Sequence, residues 1–128
     1  MAYAYKINPF TSKLDIVSAG AISAGSWDVV TDVTIVSGVI TVGGPGRFAV
    51  DTEGAAASDT LKTVTGLSDG HEIILTPKSS VRTVHLKTGL GNLRLQANFT
   101  MDHRFDSARM ICDASGFIKE SGGRSNNG

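Results

Sequence analysis

The stretch "WDVVTDVTIVSGVITV" (residues 27–42) decides the fold class. β-Branched residues dominate it, alternating with Asp and Thr, and no 3.6-residue apolar period runs through it. Ser37 and Gly38 interrupt the run with turn chemistry, so the spacing predicts two strands joined as a hairpin. Working outward, "GGPG" (43–46) breaks the pattern and "RFAVDT" (47–52) resumes it. "HEIILT" (71–76) and "VRTVHLKT" (81–88) flank a turn at "PKSS", with Val84 and Leu86 on one face and Thr83, His85 and Lys87 on the other. "GLGN" (89–92) turns into "LRLQANFTM", where Leu93 and Leu95 share a face. "SARMICD" (107–113) and "GFIKES" (116–121) bracket "AS" as a second hairpin. Only 53–70 departs from this texture. It is rich in small and Asp/Ser/Thr residues, with Leu61, Val64 and Leu67 spaced to reach a core and one helical turn expected at a Ser58 or Asp59 cap. The fold expected is all-β: a compact sandwich or barrel of about eight to ten short strands with an extended N-terminal arm. Residues 1–26 form the arm, 27–121 the β-rich domain, and 122–128 a flexible tail with little to bury. No internal repeat is evident at this level.

At 128 residues the chain is one domain's worth, and with 15 Gly and 6% aromatics its core is aliphatic. Twelve Lys and Arg balance twelve Asp and Glu, without the basic excess of a nucleic-acid binder. Near-neutrality also lowers the repulsion between copies packed at high density. Cys112 is the only cysteine, which rules out an intrachain disulfide and a multi-cysteine zinc site. No apolar run approaches the roughly 20 residues of a membrane-spanning helix. Lys6, Asn8, Pro9, Lys13 and Asp15 occupy the place of a signal peptide's apolar stretch, so synthesis in a cytosol is expected.

Candidate chemistry is sparse. "DHRFD" sets Asp102, His103 and Asp106 close together, but it falls between two strands, where a polar turn is expected. His71 and His85 have no partner evident in the sequence, and Cys112 sits in an apolar strand with no basic neighbour to lower its pKa. Neither "GGPG" nor "GLG" leads into a helix, so neither is a phosphate cradle. The expectation is no enzyme, no catalytic residue, no metal and no cofactor.

"INPFTSKLDIV" (7–17) resembles the "NPFTGKLD" peptide at the N-terminus of many tailed-bacteriophage proteins, with Ser12 where glycine is common. Residues 48–128 resemble a β-rich module of phage fibre and capsid-surface proteins, through "VDTEG", a "DG" before an apolar strand, "RTV" leading to "GLGNLRL", and a last hairpin near "RSNNG". The two matches cover about 90 residues, and Phe117 stands where the family's last hairpin often carries tryptophan. The resemblance implies a virion location, on the capsid surface or the tail, with assembly in a host cytoplasm. It also implies three copies about one axis and virion proteins as partners: the major capsid protein, or tail proteins. Neither nucleic acid nor membrane is an expected partner. Pro9 and its effect on Asn8 hold the peptide extended. Ile7, Asn8, Pro9, Phe10, Leu14 and Ile16 are the expected docking residues. The chain's brevity favours a capsid-decoration role over a tail-fibre or tail-spike base. A carbohydrate-binding module is the remote alternative, disfavoured by the few aromatics.

Overall fold

The structure is a computed structural model and describes residues 27–127. It is all-β. Eleven strands are present: β1 (Val30–Thr34), β2 (Val39–Thr41), β3 (Gly46–Asp51), β4 (Ser58–Leu61), β5 (Thr63–Thr65), β6 (Glu72–Pro77), β7 (Thr83–Leu86), β8 (Leu93–Arg94), β9 (Phe99–Met101), β10 (Ser107–Cys112) and β11 (Ile118–Ser125). They form three sheets, ordered β1-β3-β6-β10-β11-β8, β2-β5 and β4-β7-β9. The pairing is mostly parallel. β1 runs parallel to β3, β3 to β6, β2 to β5, β4 to β7, and β8 to β11. Partners such as Val39↔Thr63, Ser58↔Thr83 and Leu93↔Ile118 show what joins them: a crossover that carries the chain once around the molecule and back beside itself. The result is solenoid-like, with coils β1–β2, β3–β5 and β6–β8 stacked on one another.

All three sheets send side chains into one core. Ile35, Ile40, Leu61, Ile73, Leu75, Val84, Leu86 and Leu93 are fully buried, and Val64 and Val50 nearly so. Alternation does this locally: β6 and β7 bury every second residue, including Val84 and Leu86 as the sequence predicts. Leu61 and Val64 reach the core as expected, and Leu67 and Leu95 pack against it. Coils approach closely where a side chain is missing. Gly66 (φ 99°) lies so near the Val42 carbonyl that a Cβ would overlap it, while Thr65 O accepts the Val42 N–H at 2.9 Å. Asn92 then serves the next edge of β5 as a strand would: its Oδ1 accepts the Val64 N–H at 2.9 Å and its Nδ2 donates to the Val64 carbonyl at 2.7 Å.

Direction reverses at the far end. β9 is antiparallel to β7, β10 to β6, and β11 to β10. The expected "AS" hairpin is this β10–β11 pair, with Asp113 Oδ1 accepting the N–H groups of Ser115 and Phe117. Other local expectations are corrected. Ser37–Gly38 does reverse the chain through one Val36–Val39 bridge, but β1 and β2 then separate to pair with β3 and β5 instead of forming a hairpin ladder. β6 and β7 likewise belong to different sheets. The helical turn precedes Ser58, at Glu53–Ala55 in 3-10 form; Ser58 and Asp59 begin β4, and Asp59 Oδ2 accepts the Glu53 N–H from downstream. The expected flexible tail from residue 122 is β-structure to Ser125, because Arg124 binds Glu120 and the carbonyls of Ala97 and Asn98.

Gly66→Ala should therefore destabilise the fold by about 2–4 kcal/mol, since the added methyl meets backbone at a positive φ. Asn92→Ala should cost about 2–3 kcal/mol by orphaning both backbone groups of buried Val64. Urea denaturation of each variant checks both values.

Candidate functional site

A dense polar cluster of the described residues is the 102–106 turn. Asp106 is fully buried. Its Oδ2 accepts the N–H groups of Asp102 (2.9 Å) and His103 (3.0 Å), its Oδ1 accepts that of Asn127 (2.6 Å), and its own N–H donates to the His103 carbonyl. Burial alone would push this carboxyl up, but the three N–H groups together with His103 outweigh it and hold Asp106 below the usual Asp value. Asn127 completes the knot by donating from Nδ2 to the Phe105 carbonyl at 2.9 Å. The oxygens that a metal would need are thus engaged by the backbone. Among the described residues no three His, Cys, Asp or Glu side chains are placed to hold an ion.

The other candidates are dispersed. His71 Nδ1 accepts the Ser68 N–H, His103 Nδ1 accepts the Phe105 N–H, and His85 Nδ1 pairs with Thr100 Oγ1 across β7 and β9. Cys112 faces the core at 3% exposure, its thiol pushed up by burial and by Asp113 and Asp69. "GGPG" leads into β3, and "GLG" sits in the turn before β8, its Gly91 packed against Lys62 and Thr63 of the coil beneath. Phe117 lies under the Arg94 guanidinium, 4.4 Å from ring centroid to Cζ. Asp51 is gripped by both arms of Arg82, at 2.7 and 3.1 Å, and that pair holds its carboxyl below the usual value. Arg124 does the same for Glu120.

Several large apolar side chains also project from the described residues. Val81 and Phe105 are 78% and 60% exposed on two turns joined by the Arg104 N–H to Ser80 Oγ bond, at 2.9 Å. Arg104 lies over the Phe105 ring and His103 packs against its side. Leu90 projects from the turn before β8. Sequence reasoning missed this surface. The signal was an aromatic inside an otherwise charged turn, Phe105 between Arg104 and Asp106, where no sheet face exists to bury it. The expected docking residues Ile7, Asn8, Pro9, Phe10, Leu14 and Ile16 lie outside the described residues. No protein-family model, curated protein or solved structure matches the chain.

Asp51, Asp106 and Glu120 all sit below their ordinary values, so the unfolded chain takes up protons first as pH falls. Stability should be full above the ordinary carboxylate range, near pH 4, and drain as pH drops through it towards the lowered folded values. Asp106→Asn should cost about 2–3 kcal/mol at neutral pH, because its NH2 group faces a backbone donor, and should flatten part of that acid slope. Urea midpoints measured from pH 7 to pH 3 test both effects.

Proposed function

We propose that this chain is a non-enzymatic structural protein of a bacteriophage virion, a trimeric decoration (cement) protein seated on the major capsid protein. One observation carries the reading. The groups able to do chemistry are consumed in holding the fold, while apolar side chains project from its turns: Asp106, His71, His103 and Cys112 serve the chain's own backbone, and Val81, Leu90 and Phe105 face outward. A scaffold of self-satisfied coils with apolar contact points suits an assembly component. The resemblance of residues 7–17 and 48–128 to virion proteins supports the same role, with Ile7, Asn8, Pro9, Phe10, Leu14 and Ile16 as anchors on a neighbouring subunit.

Purified protein added to particles lacking it tests this. Wild-type chain should saturate the capsid, and deletion of residues 1–12 should lower occupancy at least tenfold without unfolding the β domain. The double variant Val81→Ser/Phe105→Ser should also lose occupancy while keeping its urea midpoint. Light scattering should give three times the 13.4 kDa chain mass. Undiminished binding by both variants would overturn the reading, and co-sedimentation with isolated tails in place of capsids would assign the chain to a fibre base.

A further inference from the structure

The outward face of the six-stranded sheet carries charge that the fold leaves unanswered. Register sets two neighbouring rows across it: Arg47, Ile74 and Arg109, then Glu72, Ile111, Lys119 and Arg94. These side chains point away from the core, because Phe48, Leu75, Met110, Ile118 and Leu93 at the alternate positions are buried. Four cations in the two rows thus face one acid, Glu72. The acids beside them are already taken, Asp32 by Lys78 and Asp51 by Arg82. Arg47 and Arg94 reach only backbone carbonyls, of Trp27 and of Gly91 and Leu93. Arg109 and Lys119 have no side-chain hydrogen bond or ion pair among the described residues. Gly122 makes room for Arg109 on this face, since a Cβ there would come within 2.6 Å of the Arg109 Cδ.

Apolar groups are threaded between these charges. Ile74 is half-buried between Arg47 and Arg109, which stand roughly 10 Å apart across two strand spacings. Ile111 is half-buried between Glu72 and Lys119, and Phe117, 37% exposed, lies under the Arg94 guanidinium. A partner that covers such a face has to meet both chemistries. Carboxylates answer the guanidinium and ammonium groups, which cannot be taken out of water unpaired, and apolar side chains answer Ile74, Ile111 and Phe117. A phosphate backbone supplies only the first, and four cations neutralise too few phosphates for tight binding at physiological salt. A second copy laid face to face would oppose like charges. Residues 1–26 carry Lys6, Lys13 and Asp15, a positive balance that does not complement the face either.

We propose that the outward face of the six-stranded sheet, centred on Arg109 and Lys119, docks an acidic protein surface whose carboxylates alternate with apolar side chains. Arg47 and Arg94 flank the contact, and Ile74, Ile111 and Phe117 give it an apolar floor. This goes beyond the virion reading, which places contacts on the turns, and it holds for any acidic neighbour. The complementarity makes the attachment dependent on salt, unlike an attachment through Val81 and Phe105 alone.

The first probe is a copolymer of Glu and Tyr immobilised on resin, which needs no particles. Full-length chain should be retained at about 50 mM salt and released by about 300 mM. Arg109→Glu/Lys119→Glu should lower that affinity at least tenfold with the urea midpoint unchanged. Lys62→Glu/Lys87→Glu, the same charge change beside β4 and β7, should leave it unaltered. Equal losses in the two pairs, or no loss in the first, would overturn the proposal. So would tighter binding to duplex DNA or to phosphatidylserine vesicles than to the copolymer, or retention that appears only once residues 1–26 are removed. A fall in light-scattering mass of the Arg109/Lys119 variant would put a second copy on the face and overturn it too. In the particle assay, wild-type occupancy with no loss in that variant overturns this inference and leaves the virion reading standing. No wild-type occupancy at all sinks the virion reading and leaves the copolymer to decide.

Discussion

Each coil of this chain points its strand N–H and C=O groups along the stacking axis, where the strands of a neighbouring coil meet them. The rest of the structure follows from that demand. Parallel pairing of β3 on β1, β6 on β3, β5 on β2 and β7 on β4 satisfies it without a single long helix among the described residues. It also requires the chain to circle the core between partners, so contacts distant in sequence hold nearly every strand.

Side chains take over where strands run out. Asn92 supplies both halves of a missing neighbour to Val64 and also donates to the Gly116 carbonyl, joining the middle coil to the last hairpin. Arg124 and Glu120 bind the 96–98 segment against β11, with the Arg124 guanidinium over Phe99. Asp106 gathers three N–H groups where the chain turns from β9 into β10. Thr52, the other buried polar residue among those described, donates from Oγ1 to the Ala56 carbonyl at 2.7 Å. In each case a short polar group stands in for backbone, which is what makes the irregular corners of such a stack affordable.

The β-class was legible from alternation, and so was the inward face of β7, because burying every second residue leaves a period in the sequence. Pairing direction was not. Alternation is identical in parallel and antiparallel strands, and a Ser-Gly turn after Val36 reads as a hairpin whether or not the strands it joins remain together. The tail was misread for a related reason. "SGGRSNN" has no apolar residue, yet Arg124 anchors it by charge and by stacking on Phe99, contacts that depend on segments remote in sequence. Of the site, the polar turn at 102–106 was foreseen, but the burial of Asp106 and the exposure of Phe105 invert what their side-chain types suggest. Only the position of that turn at the end of the stack explains both.

The two ends of the molecule are unlike. At one, among the described strands, β1 presents five residues of strand margin. At the other, the margins are two residues in β8 and three in β9, and the flank of β11 is guarded by Arg124 and Glu120. Fibril growth needs two adhesive edges on every molecule, one to join and one to offer. This chain has one. Two copies that met through β1 would use that edge on each other across a two-fold axis, and addition through it would stop there. Margins of such unequal length match one another poorly for head-to-tail β-assembly, a useful property in a chain that is neutral overall and so has little charge repulsion to keep its copies apart.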